Sequence, residues 1–326
     1  PRGLPYIGAG DWNDGLSAVG LEEKGESVWL GHFLAGLLGE WAELFTRTGE
    51  PARAADFARR REALGAAINE HCWDGEWYWR ATRDDGGKIG SRENDRGAIY
   101  LNAQTWAVLN DVAPPERAAA AMKAVKERLV SEAGALLLAP AYDRPVREIG
   151  YITRYAAGMR ENGGVYTHAA TWAISAAGKS KDPGLVERLL AAIDPTRKDP
   201  ERYRAEPYVL PGNVDGPDSP LHGRAGWTWY TGSAQWLHRV VCEWVIGVRP
   251  EWDGMRFDPC LPPSWNGARM TRPWRGATLD ITVLRDDSLA PGTARVEVDG
   301  RALYGTLLPP LPAGTSANVK VSFRPA

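Results

Sequence analysis

Residues 27–48, SVWLGHFLAGLLGEWAELFTRT, carry the clearest structural pattern in the chain. Their apolar positions recur three and four residues apart, at Leu30, Phe33, Leu34, Leu37, Leu38, Trp41, Leu44 and Phe45. This spacing predicts an α-helix with one apolar face. Gly49 ends that helix and Pro51 begins a second one. The second helix has its own apolar face, which consists of Phe57, Leu64, Ile68 and Cys72. The sequence therefore predicts paired helices with a short connection.

The helical pattern returns several times before residue 250. Further helices are predicted at about 98–111, 114–131, 164–178, 183–193 and 230–246. The last of these is apolar on most sides, so we expect it to be buried. Irregular segments separate the helices, at 73–94, 132–163 and 195–228, and a short strand pair is expected within the first of them. Loops of this length inside a compact domain usually carry function.

The pattern changes after Pro250. Residues 278–283 and 294–298 alternate apolar and polar side chains, as half-buried strands do. Asp299-Gly300 is a hairpin turn signal, and 319–323 reads as a closing strand. We therefore predict a mainly α fold, with a helical domain over residues 1–250 and a small C-terminal β domain over 251–326.

The composition excludes several classes of protein. The 326 residues are 44% hydrophobic and 25% charged, unlike a disordered or collagen-like chain. No stretch approaches the ~20 apolar residues of a membrane helix. The net charge of −2 gives a nucleic-acid partner no electrostatic support. The three cysteines are scattered, which predicts no disulfide framework and no metal site, and favours a reducing, cytoplasmic location.

Tryptophan is unusually frequent, with 15 residues against 5 phenylalanines. A buried indole needs a partner for its N–H group. Its flat face also packs well on a pyranose ring, so a large core and a sugar-binding cleft both explain the excess. Trp41, Trp236 and Trp244 follow helical spacing, and we expect them in the core.

The first chemistry-bearing segment is GDWNDG, residues 10–15. Asn, Asp and Gly favour tight turns, so a purely structural turn is one interpretation. The other is a saccharide site. Asp14 would supply the carboxylic acid that protonates a leaving glycosidic oxygen, beside Trp12 and Asn13.

Two further segments combine polar and aromatic residues. In RENGGVYTH, residues 160–168, Glu161 can bond sugar hydroxyls, and His168 lies near a helix start, where it could face an anion. A lone histidine is more often structural. GWTWYTGSA, residues 226–234, contains Trp227 and Trp229. It reads either as an aromatic core with a helix cap or as a sugar platform beside an anion site. Thr231 and Gly232 would form that anion site.

Together the three segments predict one pocket with an acid, aromatic plates and an anion site. P-loop, nucleophile-elbow, zincin and dinucleotide motifs lack sequence support. An inverting hydrolase needs a second carboxylate to activate water. Asp95 and Glu206 are candidates, but nothing in the sequence singles one out. If inorganic phosphate is the nucleophile, that base is unnecessary. A non-catalytic glucan-binding or chain-length-control module is the third interpretation.

Four motifs in order carry a family resemblance: GDWNDG at 10–15, GESVWL at 25–30, ENGGVYTHA at 161–169 and WYTGSA at 229–234. Together they make the chain similar to glycoside hydrolase family 94 over most of residues 1–265. The resemblance implies part of an (α/α)6 barrel followed by a C-terminal β domain, and reversible phosphorolysis with inversion. That reaction needs inorganic phosphate as co-substrate and no cofactor.

The resemblance also implies roles for single residues. Asp14 matches the general acid, and Trp12 and Asn13 match its neighbours on the donor-sugar side. Glu161 falls where the family contacts the acceptor. The phosphate site matches His168, Thr231 and Gly232. We assign Trp12, Trp227 and Trp229 to the sugar cleft.

The chain departs from the family pattern in two ways. Met159 stands two residues before Glu161, where a family lysine is not evident. The family's N-terminal β-sandwich and its phosphate-binding arginines precede the start of this chain. We therefore expect three partners: a β-glucan oligosaccharide, phosphate and an N-terminal remainder of the parent protein. Residues 202–208 and 258–262 resemble the cyclic-glucan-synthase and β-1,2-oligoglucan branch of the family, which implies β-1,2 linkages. A homodimer and a membrane-tethered parent protein are left open.

Overall fold

The computed structural model describes residues 2–229 and 231–325. Its contacts divide the chain into two compact units. The first unit comprises Pro1–Ala176 and Ala192–Ser233, and the second comprises Ala177–Ala191 and Ala234–Ala326. Among the described residues, no helix is both long and apolar enough to cross a bilayer.

Helices occupy the positions where the apolar period is strong. The α-helices are α1 (Val28–Arg47), α2 (Pro51–His71), α3 (Leu101–Leu109), α4 (Pro115–Arg128), α5 (Thr167–Lys179), α6 (Pro183–Ile193), α7 (Pro200–Tyr203) and α8 (Ser233–Val240). Short 3₁₀ helices lie at Tyr151–Arg154 and Pro195–Arg197, and a π-helical turn at Val241–Val245 follows α8. A helical region followed by a β region is therefore confirmed.

The N-terminus of α1 illustrates why these helices begin where they do. Ser27 has extended backbone angles, and its hydroxyl accepts a hydrogen bond from the Leu30 N–H at 2.9 Å. This cap satisfies one of the orphan donors of the first turn. Val28, Ala35 and Leu38 of α1 pack with Leu64 and Ile68 of α2 in one buried cluster. The α1–α2 pair is thus the predicted helical hairpin.

Short strands lie in the predicted irregular segments and at the starts of two predicted helices, where β3 precedes α3 and β5 precedes α5. They are β1 (Ala81–Thr82), β2 (Lys88–Ile89), β3 (Ile99–Tyr100), β4 (Leu138–Ala139), β5 (Val165–Tyr166), β6 (Pro211–Val214) and β7 (Ala225–Thr228). The pairs are β1–β2, β3–β4 and the antiparallel sheet β5–β6–β7. The strand pair expected within 73–94 is confirmed as β1–β2. The other strands of two to four residues are too short for an alternating pattern to stand out, so the sequence does not reveal them.

The second unit contains the remaining strands. They are β8 (Val248–Pro250), β9 (Met255–Phe257), β10 (Gly267–Trp274), β11 (Ala277–Arg285), β12 (Thr293–Val298), β13 (Arg301–Ala302), β14 (Leu307–Leu308) and β15 (Ser316–Arg324). Five of them form one sheet in the order β10–β11–β15–β12–β13, with β11 and β15 parallel. The predicted hairpin turn is confirmed. Asp299 and Gly300 have φ angles of 49° and 76° between the paired residues Val298 and Arg301.

Two expectations about burial are corrected. Trp41 is 47% exposed, so it does not pack the core. Trp236 and Trp244 are only partly buried, each with an arginine guanidinium over its ring. The final helix starts at Ser233 rather than at residue 230, which lies outside the described residues. Many residues of this helix are exposed to solvent, so it is not buried on most sides. The apolar residues crowd its C-terminal half, which made the whole segment look buried.

Candidate active site

The loop at residues 10–15 is held by buried hydrogen bonds. Asp11 accepts from the Ser27 hydroxyl at 2.6 Å and from the Asn13 backbone N–H at 3.0 Å. Asp11 also forms an ion pair with Arg80, and both side chains are almost completely buried. Burial alone would raise the pKa of Asp11, but the Arg80 charge and the hydrogen bonds hold that pKa below its ordinary value. Asp11 is therefore an ionised structural anchor of the loop.

Asn13 connects this loop to the second motif. It is fully buried, and its Nδ2 donates to Glu161 Oε1 at 2.9 Å across 148 residues of sequence. Its Oδ1 accepts from Arg80 at 2.9 Å and from Asn102 Nδ2 at 2.9 Å. The first two predicted site segments therefore meet through one carboxamide.

Glu161 is 7% exposed and lies beside the acid-bearing loop. Burial raises its pKa, and the nearby Asp14 charge adds to the increase, while the Asn13 hydrogen bond and the Arg160 charge oppose it. Asp14 itself is exposed. Asp14 on the loop is therefore exposed to solvent, whereas the neighbouring Glu161 is shielded from it.

An aromatic cluster forms the floor next to the loop. Ring centroids lie 4.7 Å apart for Trp12 and Trp172 and 5.5 Å apart for Trp12 and His168, and 5.4 Å separate Trp12 from Tyr166. His168 is the second residue of α5, and burial lowers its pKa. A neutral imidazole at a helix N-terminus can donate an N–H hydrogen bond to an anion. Trp12 is partly buried by these contacts, with one part left open.

The third segment joins the second through the sheet β5–β6–β7. Tyr166 pairs with Asn213, and Asn213 pairs with Gly226, which precedes Trp227. The Arg160 guanidinium lies 3.9 Å from the centroid of the Trp227 ring. This register places Trp227 next to the segment that carries Glu161.

Trp227 and Trp229 are large, exposed and conformationally unusual. Their exposed fractions are 48% and 70%, and their φ angles are 58° and 65°. Left-handed angles on non-glycine residues cost roughly 1 kcal/mol each and often mark functional sites. The Trp229 indole donates to Glu206 at 2.9 Å. Exposed indoles in fixed orientations are suited to stacking on a sugar ring.

Thr231 and Gly232 begin the segment that leads into α8. The Ser233 N–H donates to Thr231 Oγ1 at 3.1 Å, and the two hydroxyls lie 2.9 Å apart. The anion site that Thr231 and Gly232 would share with His168 stays a prediction. Two carboxylates are candidate bases for a hydrolase. Glu206 accepts the hydrogen bond from the Trp229 indole, and Asp95 is exposed on the loop before β3.

Sequence reasoning missed three residues that organise the site: Ser27, Arg80 and Asn102. Each is fully buried and hydrogen-bonded within the network. Arg80 stands in the apolar run WYWRA, residues 77–81, and a charge there was the available signal. Charged residues are rarely buried without a partner.

Carboxylates for glycosidic-bond chemistry and aromatic rings with an apolar face are thus placed side by side. Residues 1–247 match the family described as the glycosyl hydrolase 94 superfamily, catalytic domain. The chain belongs to that family. Residues 248–301 match the C-terminal domain of glycosyl hydrolase family 65.

Curated relatives cover most of this chain. It is 40% identical over 87% of its length to the cyclic beta-(1,2)-glucan synthase NdvB of Rhizobium meliloti (strain 1021), covering 10% of that protein. It is 35% identical over 96% of its length to the solabiose phosphorylase of Paenibacillus borealis, covering 41%. It is 34% identical over 95% to the N,N'-diacetylchitobiose phosphorylase of Vibrio proteolyticus, covering 39%. The chain thus spans less than half the length of these relatives.

Solved structures share the fold at low sequence identity. A sialidase aligns with a TM-score of 0.59 at 12% identity, over 82% of this chain and 24% of its own. A family 78 rhamnosidase of Bacillus sp. GL1 aligns with a TM-score of 0.53 at 15% identity, over 99% of this chain and 30% of its own. These similarities concern the fold alone.

Proposed function

We propose that the chain is the catalytic portion of a glycoside phosphorylase that acts on β-linked glucooligosaccharides with inorganic phosphate. Membership of the family supports this function, as do the phosphorylase names of two relatives. The observation that carries it is the Asn13–Glu161 hydrogen bond, which joins the acid-bearing loop to the segment with His168. The relative named as a cyclic β-1,2-glucan synthase supports β-1,2 linkages as the substrate.

The proposed reaction is an inverting displacement. A phosphate oxygen attacks the anomeric carbon, and the bond from that carbon to the glycosidic oxygen breaks. Asp14 gives its proton to the leaving oxygen, as a general acid does. The products are α-glucose 1-phosphate and a glucan shortened by one unit. Because phosphate is already an anionic nucleophile, no second carboxylate has to activate water.

The other residues divide into sugar and phosphate contacts. Trp12, Trp227 and Trp229 are proposed to stack on sugar rings, and Glu161 to bond acceptor hydroxyls. His168, Thr231 and Gly232 are proposed to hold the phosphate, with His168 donating from the start of α5. Asn13 keeps the donor-side loop in register with Glu161.

The proposed architecture is part of an (α/α)6 barrel over residues 1–250, followed by a β domain over 251–326. An N-terminal remainder of the parent protein would complete the barrel and add cationic phosphate ligands. The helices α1 to α6 support the helical part of this proposal.

The test is an activity assay on the full protein as its gene encodes it. Wild type, Asp14→Asn and the control Asp287→Asn, an exposed aspartate of the second unit, are incubated with β-1,2-glucooligosaccharides or cellobiose. Each reaction is run with and without phosphate, and α-glucose 1-phosphate is followed by phosphorus NMR. Loss of the general acid should reduce turnover by about 10²–10⁴-fold. The control should match wild type.

Three results would overturn parts of the proposal. Normal turnover by Asp14→Asn would remove Asp14 from the acid role. Glucose released without any need for phosphate would identify a hydrolase. Saccharide binding without turnover by the wild-type protein would identify a non-catalytic glucan-binding module.

A further inference from the structure

Arg80 is a fully buried cation at the base of the candidate site. A buried ion pair contributes little net stability, because the desolvation penalty offsets the attraction between the charges. An apolar pair of similar volume would serve packing equally well. The position of this charge therefore points to a task other than stability.

The guanidinium holds the acid-bearing loop at two points. It pairs with Asp11 Oδ1, and it donates to Asn13 Oδ1 at 2.9 Å. These two residues lie on either side of Trp12 and just before Asp14. A planar fork suits this double contact, because its N–H groups have fixed relative directions.

The backbone of Arg80 is itself fixed. Its N–H donates to the Ile89 carbonyl at 2.8 Å, and its carbonyl accepts from the Val28 N–H at 3.1 Å. Arg80 thereby ties the loop to the first turn of α1 and to the β1–β2 hairpin. The loop cannot move without breaking buried hydrogen bonds.

The same contacts set the orientation of the Asn13 carboxamide. Its Oδ1 accepts N–H groups from Arg80 and Asn102, so its Nδ2 is directed to Glu161. A flipped carboxamide would place an N–H group against the guanidinium. Arg80 therefore fixes which atom of Asn13 meets Glu161, and hence the spacing between Glu161 and the Asp14 loop.

We propose that Arg80 is a positioning residue for the reaction, which sets the place of Asp14 relative to the bound sugar through Asp11 and Asn13. The inference rests on the proposed function of Asp14. Without Arg80, the protein should still bind phosphate, but the acid should be misplaced. A displacement of about 1 Å at a reacting group can cost about 100-fold in rate.

The test separates positioning from folding. Arg80→Met alone leaves Asp11 as an unpaired buried carboxylate, so the variant to use is Arg80→Met combined with Asp11→Asn. Arg80→Lys keeps the charge but loses the fork. Arg92→Met is the matched control, because the Arg92 side chain is half-exposed and its carboxylate contacts are 3.8–3.9 Å long. Kinetics, thermal unfolding and hydrogen exchange of residues 11–15 are measured on the full protein.

The double variant is expected to fold, with kcat reduced about 100-fold, KM for phosphate within about twofold of wild type, and faster exchange at residues 11–15. Arg80→Lys should retain about a tenth of the wild-type kcat. Arg92→Met should have the wild-type kcat. A folded double variant with wild-type kcat would overturn the inference, whatever its exchange at residues 11–15.

If the wild-type protein shows no phosphorolysis, the proposed function fails and the exchange data decide the inference alone. Unchanged exchange at residues 11–15 in the folded double variant would then refute positioning by Arg80. Faster exchange confined to that loop would support it.

Discussion

Gly15 follows the proposed acid and lies where a side chain does not fit. An added Cβ would lie 2.7 Å from the Ile152 Cβ and 3.0 Å from the Ile152 Cα. Carbon contacts are ordinarily about 3.5–4.0 Å, so the shortest of these is roughly 0.8 Å too close. Ile152 is fully buried, and its N–H donates to the Gly15 carbonyl at 2.9 Å. Neither backbone can retreat without losing that bond.

We therefore expect Gly15→Ala to lower the free energy of unfolding by about 2 kcal/mol, within the usual range for overpacking. Gly65→Ala is the matched control in the same unit. Gly65 lies inside α2 with no atom within 4 Å of its added Cβ. Alanine should stabilise the helix there by roughly 0.5–1 kcal/mol. The same chemical change is thus expected to have opposite signs at the two positions.

Urea denaturation followed by circular dichroism measures both effects. A loss of about 2 kcal/mol should move the midpoint by about 1 M. Turnover of Gly15→Ala should also fall, because the clash displaces the loop that carries Asp14. A midpoint equal to wild type for Gly15→Ala, or a loss of stability for Gly65→Ala, would refute the packing argument.

Two further predictions concern Glu161 and Gly300. Burial raises the pKa of Glu161 above its ordinary 4.5, so its contribution to stability is complete below that pH and is lost as the pH rises through the folded pKa. Relative to Glu161→Gln, which cannot ionise, wild-type stability in a denaturation series should fall as the pH rises above 4.5 and through the raised folded pKa, and a flat difference would contradict this. Gly300→Ala places a side chain at a φ of 76° with open space around it. It should cost about 1 kcal/mol from backbone strain alone, and a urea midpoint equal to wild type would show that the turn relaxes freely.

The sequence predicted the helices well, because an apolar period sustained over several turns can be buried in only one way. α1 ends two residues before Gly49 and α2 begins at Pro51, as those two residues indicate, whereas no residue marks the end of α2 before Cys72. Trp41 was misassigned because periodicity identifies a face but not the length over which a neighbour covers it. The strands β5, β6 and β7 were missed because they form only by pairing between segments that are distant in sequence.

The sequence predicted the motif residues of the site but not the buried residues that hold those motifs in place. The first two motifs meet as expected, since Asn13 bonds to Glu161 and Trp12 lies against His168. Arg80 lies 69 residues from Asp11 in sequence, and no local pattern couples two such positions. Buried polar networks become visible only when every donor can be matched to its acceptor in space.

The hydrogen bond between Asn13 and Glu161 also has a consequence for folding kinetics. It closes a loop of 148 residues, whereas the α1–α2 hairpin forms from neighbouring segments. Closing a long loop costs chain entropy before the contact returns any stability, so such contacts form late. Helical signal during refolding should consequently recover before the contact between Asn13 and Glu161 forms.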